Sequence, residues 1–172
     1  MKYPYYEMSV PLFVAALKNL KAILKKGEEY AKTKKVPDDV VFGDRIIFDM
    51  FPFVKQVQSA CDNAKGAAAR LAGVEAPKME DNEKTFAELQ TRVDKTLKFL
   101  EGLKPEQFEK SADIKAEFPY FPDKHILGKD YLPFYAIPNF FFHLTTAYNI
   151  LRKNGVDIGK SDYITGTIFK DN

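Results

Sequence analysis

The residues best placed to do chemistry are Asn139 and His143, which lie four positions apart in the segment PNFFFHLTTAYNILRKNGV. This segment predicts one long amphipathic helix, with basic residues in its last turn and Gly155 at its end. Residues at this spacing lie on the same face of a helix. Two histidines so placed can bind one zinc ion, but only one of this pair is a histidine. The pair therefore predicts a polar pocket and names no reaction.

Composition limits the class of protein. The chain has 172 residues, of which 45% are hydrophobic and 29% are charged, the balance of a globular protein, and we expect a single domain over 1–172. A net charge of +2, with scattered basic residues, argues against a nucleic-acid partner. No apolar run approaches the roughly 20 residues that a membrane helix needs. We therefore expect a soluble, cytoplasmic protein without a membrane partner.

Apolar residues at steps of three and four predict two helices in the first half of the chain. The first is expected to begin at Ser9, a good N-cap, and to fade near Lys32. The second is expected to run from about Arg45 to Leu71. Pro52 falls inside this pattern, so the second helix either begins near Met50 or is kinked at the proline. Its predicted apolar stripe comprises Phe48, Phe51, Val54, Val57, Ala60, Cys61, Ala64, Ala68 and Leu71.

The second half of the chain predicts two more helices. Thr85 and Glu88 have the spacing of a capping box, and Gly102 suits the end of the helix that they begin. Residues 111–129 contain prolines and alternate only in part, which predicts a short irregular hairpin or an ordered loop. The last helical segment follows, and Pro138 must kink or restart it. Four long helices with short connections predict an all-α four-helix bundle.

Four segments give the chain a family resemblance. They are MSVPLFVAALKNL, FDMFPFVKQVQSACDNAKGAAARLAGVE, TFAELQTRV and PNFFFHLTTAYNILRKNGVDIGK, and the resemblance that they carry extends from about Tyr6 to Tyr163. In this order they resemble a domain-of-unknown-function family that is placed beside the DinB/YfiT-like four-helix bundles, a superfamily of candidate metalloenzymes. The resemblance implies a DinB/YfiT-like bundle and a homodimer.

The resemblance also implies where a metal would bind. In metal-binding members of the superfamily, one histidine of the second helix joins two histidines spaced HxxxH on the fourth. Here the fourth-helix positions are Asn139 and His143, and the second-helix position is Gln56, with Asp49 as a competitor. A divalent metal (Zn, Ni, Fe or Mn) would therefore be held by His143 with Asp49 or Gln56 and Asn139. Neutral amides are weak ligands for such metals, so one strong ligand of three is present.

The same residues also have structural interpretations. His143 would be a core histidine if Asn139 or Gln56 hydrogen-bonds to it. Asn139 and Asp49 both suit helix N-caps. Cys61 lies among alanines and is expected to be a small buried hydrophobic residue.

Two functions follow from this polar cluster. The first is a small-molecule-binding or scaffold module in which aromatic residues, 15 Phe and 9 Tyr in all, wall the pocket or form a dimer face. The alternative is a divalent-metal-dependent enzyme with an altered ligand set, for which the resemblance implies thiol transfer or hydrolysis. The sequence leaves open whether the protein is an enzyme.

Overall fold

The computed structural model of the chain describes residues 2–164 and is mostly helical, as the sequence predicts. Met1 and residues 165–172, which the predicted domain includes, lie outside the described residues. Four helices are long: α1 (Pro4–Lys34), α3 (Phe53–Ala72), α4 (Phe86–Gly102) and α6 (Ile137–Lys153). Three are short: α2 (Asp38–Gly43), α5 (Gly128–Tyr131) and α7 (Lys160–Ile164). Within residues 2–164, no helix has both the length and the apolar character needed to cross a membrane.

The long helices pack around a shared aromatic and aliphatic core. α3 packs along α6 and α4, while α1 packs on α4 and also contacts α3 and α6. Phe13 of α1 meets Phe140 of α6 edge to face, with ring centroids 4.9 Å apart. Phe42, Phe53 and Phe86 form a second ring cluster that joins α2, α3 and α4. The helices are therefore held together mainly by burial of apolar surface.

The first helix begins at Pro4, so the predicted start at Ser9 was wrong. Proline is well suited to the first position of a helix, because its missing N–H would have no helical partner there. Glu7 adds a favourable charge to the same first turn. Ser9 is buried inside the helix, and its hydroxyl donates to the carbonyl of Tyr5 instead of capping the end.

The second long helix, α3, begins at Phe53 and not near Arg45 or Met50. Pro52 is its N-cap and has extended backbone angles, so the helix neither includes the proline nor bends at it. Residues 44–52 form an irregular loop that is closed at its base, where the Phe53 N–H donates to the Asp44 carbonyl at 2.7 Å. Phe48 is 84% exposed on this loop, so its predicted place in the apolar stripe was also wrong.

The third long helix, α4, confirms the predicted capping box. The Glu88 N–H donates to Thr85 Oγ1 at 3.2 Å, and the Thr85 N–H donates to Glu88 Oε2 at 2.9 Å. The helix ends at Gly102, as expected.

A short excursion separates α4 from α6 and contains the predicted hairpin. Two 3₁₀ turns (Pro105–Phe108 and Ser111–Asp113) lead to the antiparallel strands β1 (Lys115–Glu117) and β2 (His125–Leu127). After α5, a π-helical turn (Leu132–Ala136) continues directly into α6. Pro138 is the second residue of α6, directly after this π-helical turn, so the change of helix type lies beside the proline.

Candidate functional site

A polar pair joins α3 to α6. Gln56 is 1% exposed, and its Nε2 donates to the carbonyl oxygen of Phe51 at 3.0 Å. Its Oε1 lies 2.7 Å from Nδ1 of His143. Because the amide nitrogen already faces a carbonyl, the amide oxygen must face the imidazole, and Nδ1 must carry the proton. Gln56 therefore selects the tautomer of His143 whose Nε2 has a free lone pair.

The His143 ring is half-buried between two aromatic side chains. It stacks on Phe51, with ring centroids 6.3 Å apart and planes 15° from parallel, and meets Phe142 edge-on at 5.3 Å. Burial, with the positive charge of Lys55 as a lesser cause, lowers the pKa of His143, which favours the neutral form of the ring. Nε2 makes no hydrogen bond to any residue within 2–164. Chemically, this nitrogen can accept a hydrogen bond or a proton.

A pair of amide side chains, Asn63 and Asn139, also joins α3 to α6. Asn139 Nδ2 donates to Asn63 Oδ1 at 2.6 Å, and Asn63 Nδ2 donates to the Ser59 carbonyl at 2.8 Å. Asn139 is not the N-cap of α6, because the helix begins before it. Our sequence reasoning missed Asn63, although Asn63 follows Gln56 by seven positions and so lies on the same face of α3.

Asp49 does not join these pairs. It lies exposed in the loop before α3 and forms no hydrogen bond or ion pair with another described residue, so Gln56 and not Asp49 faces His143. Within residues 2–164, no three His, Cys, Asp or Glu side chains come together as a metal site. The amide oxygen of Gln56 is occupied by His143. These donors do not fit the metal centre that the family resemblance implies.

Arg92 of α4 forms the second polar cluster, which our sequence reasoning missed. Its side chain is 1% exposed and forms ion pairs with Asp62 at 2.8 Å, Asp81 at 3.0 Å and Glu83 at 2.9 Å. Glu83 also accepts a hydrogen bond from the buried Gln58 at 2.8 Å. The cluster fastens the segment between α3 and α4 to both helices. A run of acidic residues just before α4 was the available signal in the sequence.

Cys61 is fully buried, as the sequence predicts. Burial raises the pKa of its thiol to about 12. A thiol that stays protonated is a poor nucleophile, so Cys61 belongs to the core.

The chain is similar in sequence and fold to known proteins. A family model described as "Domain of unknown function (DUF1993)" matches residues 5–164. A DinB family member protein from Shewanella denitrificans, known from a crystal structure, is 43% identical in sequence to this chain. The two structures superpose with a TM-score of 0.91, and the match covers 97% of this chain and 95% of that one. No curated protein matches the chain. The chain therefore belongs to the DUF1993 family, and its fold is related to that of the DinB family.

Proposed function

We propose that this protein is a small-molecule-binding module, built as a DinB/YfiT-like four-helix bundle, that takes its ligand at the seam between α3 and α6. The observation that carries this proposal is the state of His143. Gln56 holds Nδ1 at 2.7 Å, and Nε2 has no partner among the described residues. Gln56 orients the half-buried His143 ring, but no described residue donates to Nε2. This nitrogen is therefore available to a ligand.

The surroundings of His143 indicate the chemistry of that ligand. Phe51 is 52% exposed and Phe142 is 54% exposed, so both offer apolar surface beside the imidazole. Asn139 lies one turn away on the same face, and its side-chain oxygen accepts no hydrogen bond from residues 2–164. We infer a flat, largely apolar molecule that carries an N–H or O–H donor for Nε2.

Nitrogen NMR of the two histidines tests the proposal, because His125 on β2 is an internal reference outside the seam. The probe is benzamide, which has a flat ring and an N–H donor, and its matched control is N,N-dimethylbenzamide, which has no donor. We expect benzamide to shift the Nε2 resonance of His143 saturably while leaving His125 unchanged. We expect the control compound to have a much smaller effect. Equal shifts at both histidines, or none at His143, would count against this site.

The alternative from the sequence is a divalent-metal-dependent enzyme with an altered ligand set. Elemental analysis of protein purified without chelator separates it from our proposal. Zinc, nickel, iron or manganese near one equivalent, lost in His143→Ala and kept in His125→Ala, would overturn the ligand-binding proposal. Metal far below one equivalent is the result that we expect, because the described donors do not form a three-ligand set.

A further inference from the structure

A second cavity lies away from the α3–α6 seam. It measures about 650 Å³ and opens where the last turns of α1, the short helix α2 and the end of α6 meet. This volume is in the range of small-molecule sites. Leu151, which lines it, follows His143 by just over two turns of α6, or about 12 Å along the helix axis. The cavity is therefore separate from the site proposed above.

Two glycines shape the cavity. A Cβ on Gly27 of α1 would lie 3.1 Å from Cδ1 of Leu151, a tight contact, so the absence of a side chain at residue 27 favours the close approach of α1 to α6. Gly155 has φ +93°, and a Cβ there would lie 2.7 Å from the hydroxyl oxygen of Tyr30. Tyr30 thus lies directly against the backbone that follows α6. The lining between these points is aliphatic, from Ala31, Val36 and Val41.

The polar groups at the rim leave a positive charge unbalanced. Lys34 has its Nζ 5.7 Å from the ring centroid of Tyr30 and forms no ion pair with any residue within 2–164. The Tyr30 hydroxyl has no hydrogen-bond partner in that range either. The acidic group at the rim, Asp44, is already neutralised by Lys153 Nζ at 2.7 Å. An anionic group entering the cavity would meet an ammonium group without an ion-pair partner and a hydroxyl without a hydrogen-bond partner among the described residues.

We propose that this cavity binds a small aliphatic carboxylate. The carboxylate would accept hydrogen bonds from Lys34 Nζ and the Tyr30 hydroxyl, and the alkyl chain would pack on Val36, Val41 and Leu151. Charge-assisted hydrogen bonds are about twice as strong as neutral ones, and aliphatic walls favour an alkyl chain over a polar one. This site is independent of the function proposed for the α3–α6 seam.

Titration with octanoate, followed by NMR of valine and leucine methyl groups, tests this proposal. We expect saturable shifts at Val36, Val41 and Leu151. We expect 1-octanol, which has the same chain without the charge, to bind about tenfold more weakly. Shortening the chain to hexanoate should weaken binding by up to roughly fourfold per methylene group removed.

Two variants and a control locate the bound molecule. Lys34→Gln should weaken octanoate binding about tenfold and leave octanol binding nearly unchanged. Val41→Trp should block both ligands by filling the space. Lys25→Gln, an exposed change on the same helix outside the cavity, should alter neither. Octanoate binding that is as strong in Lys34→Gln as in the wild type, or equal affinity for octanoate and octanol, would overturn the proposal.

Discussion

Two polar clusters flank α3, and they differ in chemistry. Toward α4, the Arg92 side chain forms ion pairs with three carboxylates, and among residues 2–164 only its Nε finds no partner. Toward α6, the groups are neutral and meet in pairs, Gln56 with His143 and Asn63 with Asn139. Buried charges whose ion-pairing groups nearly all have partners are suited to a structural role. Weaker neutral pairs leave an accessible acceptor at His143, which suits recognition of a ligand.

The largest expected effect is on the charged cluster. Arg92→Met should lower the free energy of unfolding by about 3–5 kcal/mol, because it leaves the mostly buried Glu83 carboxylate without its cation. Urea denaturation measures this loss. Lys18→Met is the matched control, since it removes an exposed ion pair with Glu101 (N···O 2.9 Å) and should cost less than about 1 kcal/mol. Equal losses in the two variants would show that the ion pairs of Arg92 do not stabilise the fold more than an exposed ion pair does.

The next largest expected effect distinguishes the roles of two glutamines of α3. Gln56→Leu and Gln58→Leu should each lower the free energy of unfolding by about 1–3 kcal/mol, because each leaves a hydrogen-bond partner unpaired. Only Gln56→Leu should change the nitrogen resonances of His143, because Gln58 bonds to Glu83 in the other cluster. A His143 signal that responds equally to both changes would contradict the division into two clusters.

The smallest expected effect is the pH dependence that His143 adds. Burial lowers its pKa in the folded protein below the unfolded value of about 6.5. The unfolded chain therefore binds a proton more readily, so stability is full above that pH and falls as pH decreases toward the folded-state pKa. His143→Gln should remove this fall, and His125→Gln should keep it. Urea denaturation at about pH 7.5 and 5.5 measures the difference; an unchanged slope in His143→Gln would contradict it.

Local signals in the sequence predicted the fold best. The capping box of Thr85 and Glu88 involves residues three apart, and it fixes where α4 begins without help from the rest of the chain. The starts of α1 and α3 depend on Pro4 and Pro52. α1 begins before the predicted Ser9, whereas the apolar pattern assigned to α3 continues past its true start. Phe48 fits that pattern and is nevertheless exposed, because periodicity reports spacing and not burial.

The polar clusters could be predicted only in part. The spacing of Asn139 and His143 places them on one face of α6. The residue of another helix that packs against this face depends on the tertiary structure. The sequence accordingly favoured Gln56 but left Asp49 as a competitor, and in the structure Gln56 contacts His143. Arg92 was missed for another reason. Arginine is seldom buried, and its carboxylate partners come from α3 and from the segment before α4.

The loop over residues 44–52 has a consequence for how such a protein can diversify. Its ends meet, since the Phe53 N–H reaches the Asp44 carbonyl at 2.7 Å, and its middle residues Ile46, Ile47 and Phe48 face outward. Doubling the length of a flexible loop costs only about 0.6 kcal/mol in closure entropy. Insertions and substitutions between these anchors can therefore alter the outer surface beside Phe51 while the helices keep their positions. Evolution can therefore alter the binding surface of the protein at this loop while the fold is preserved.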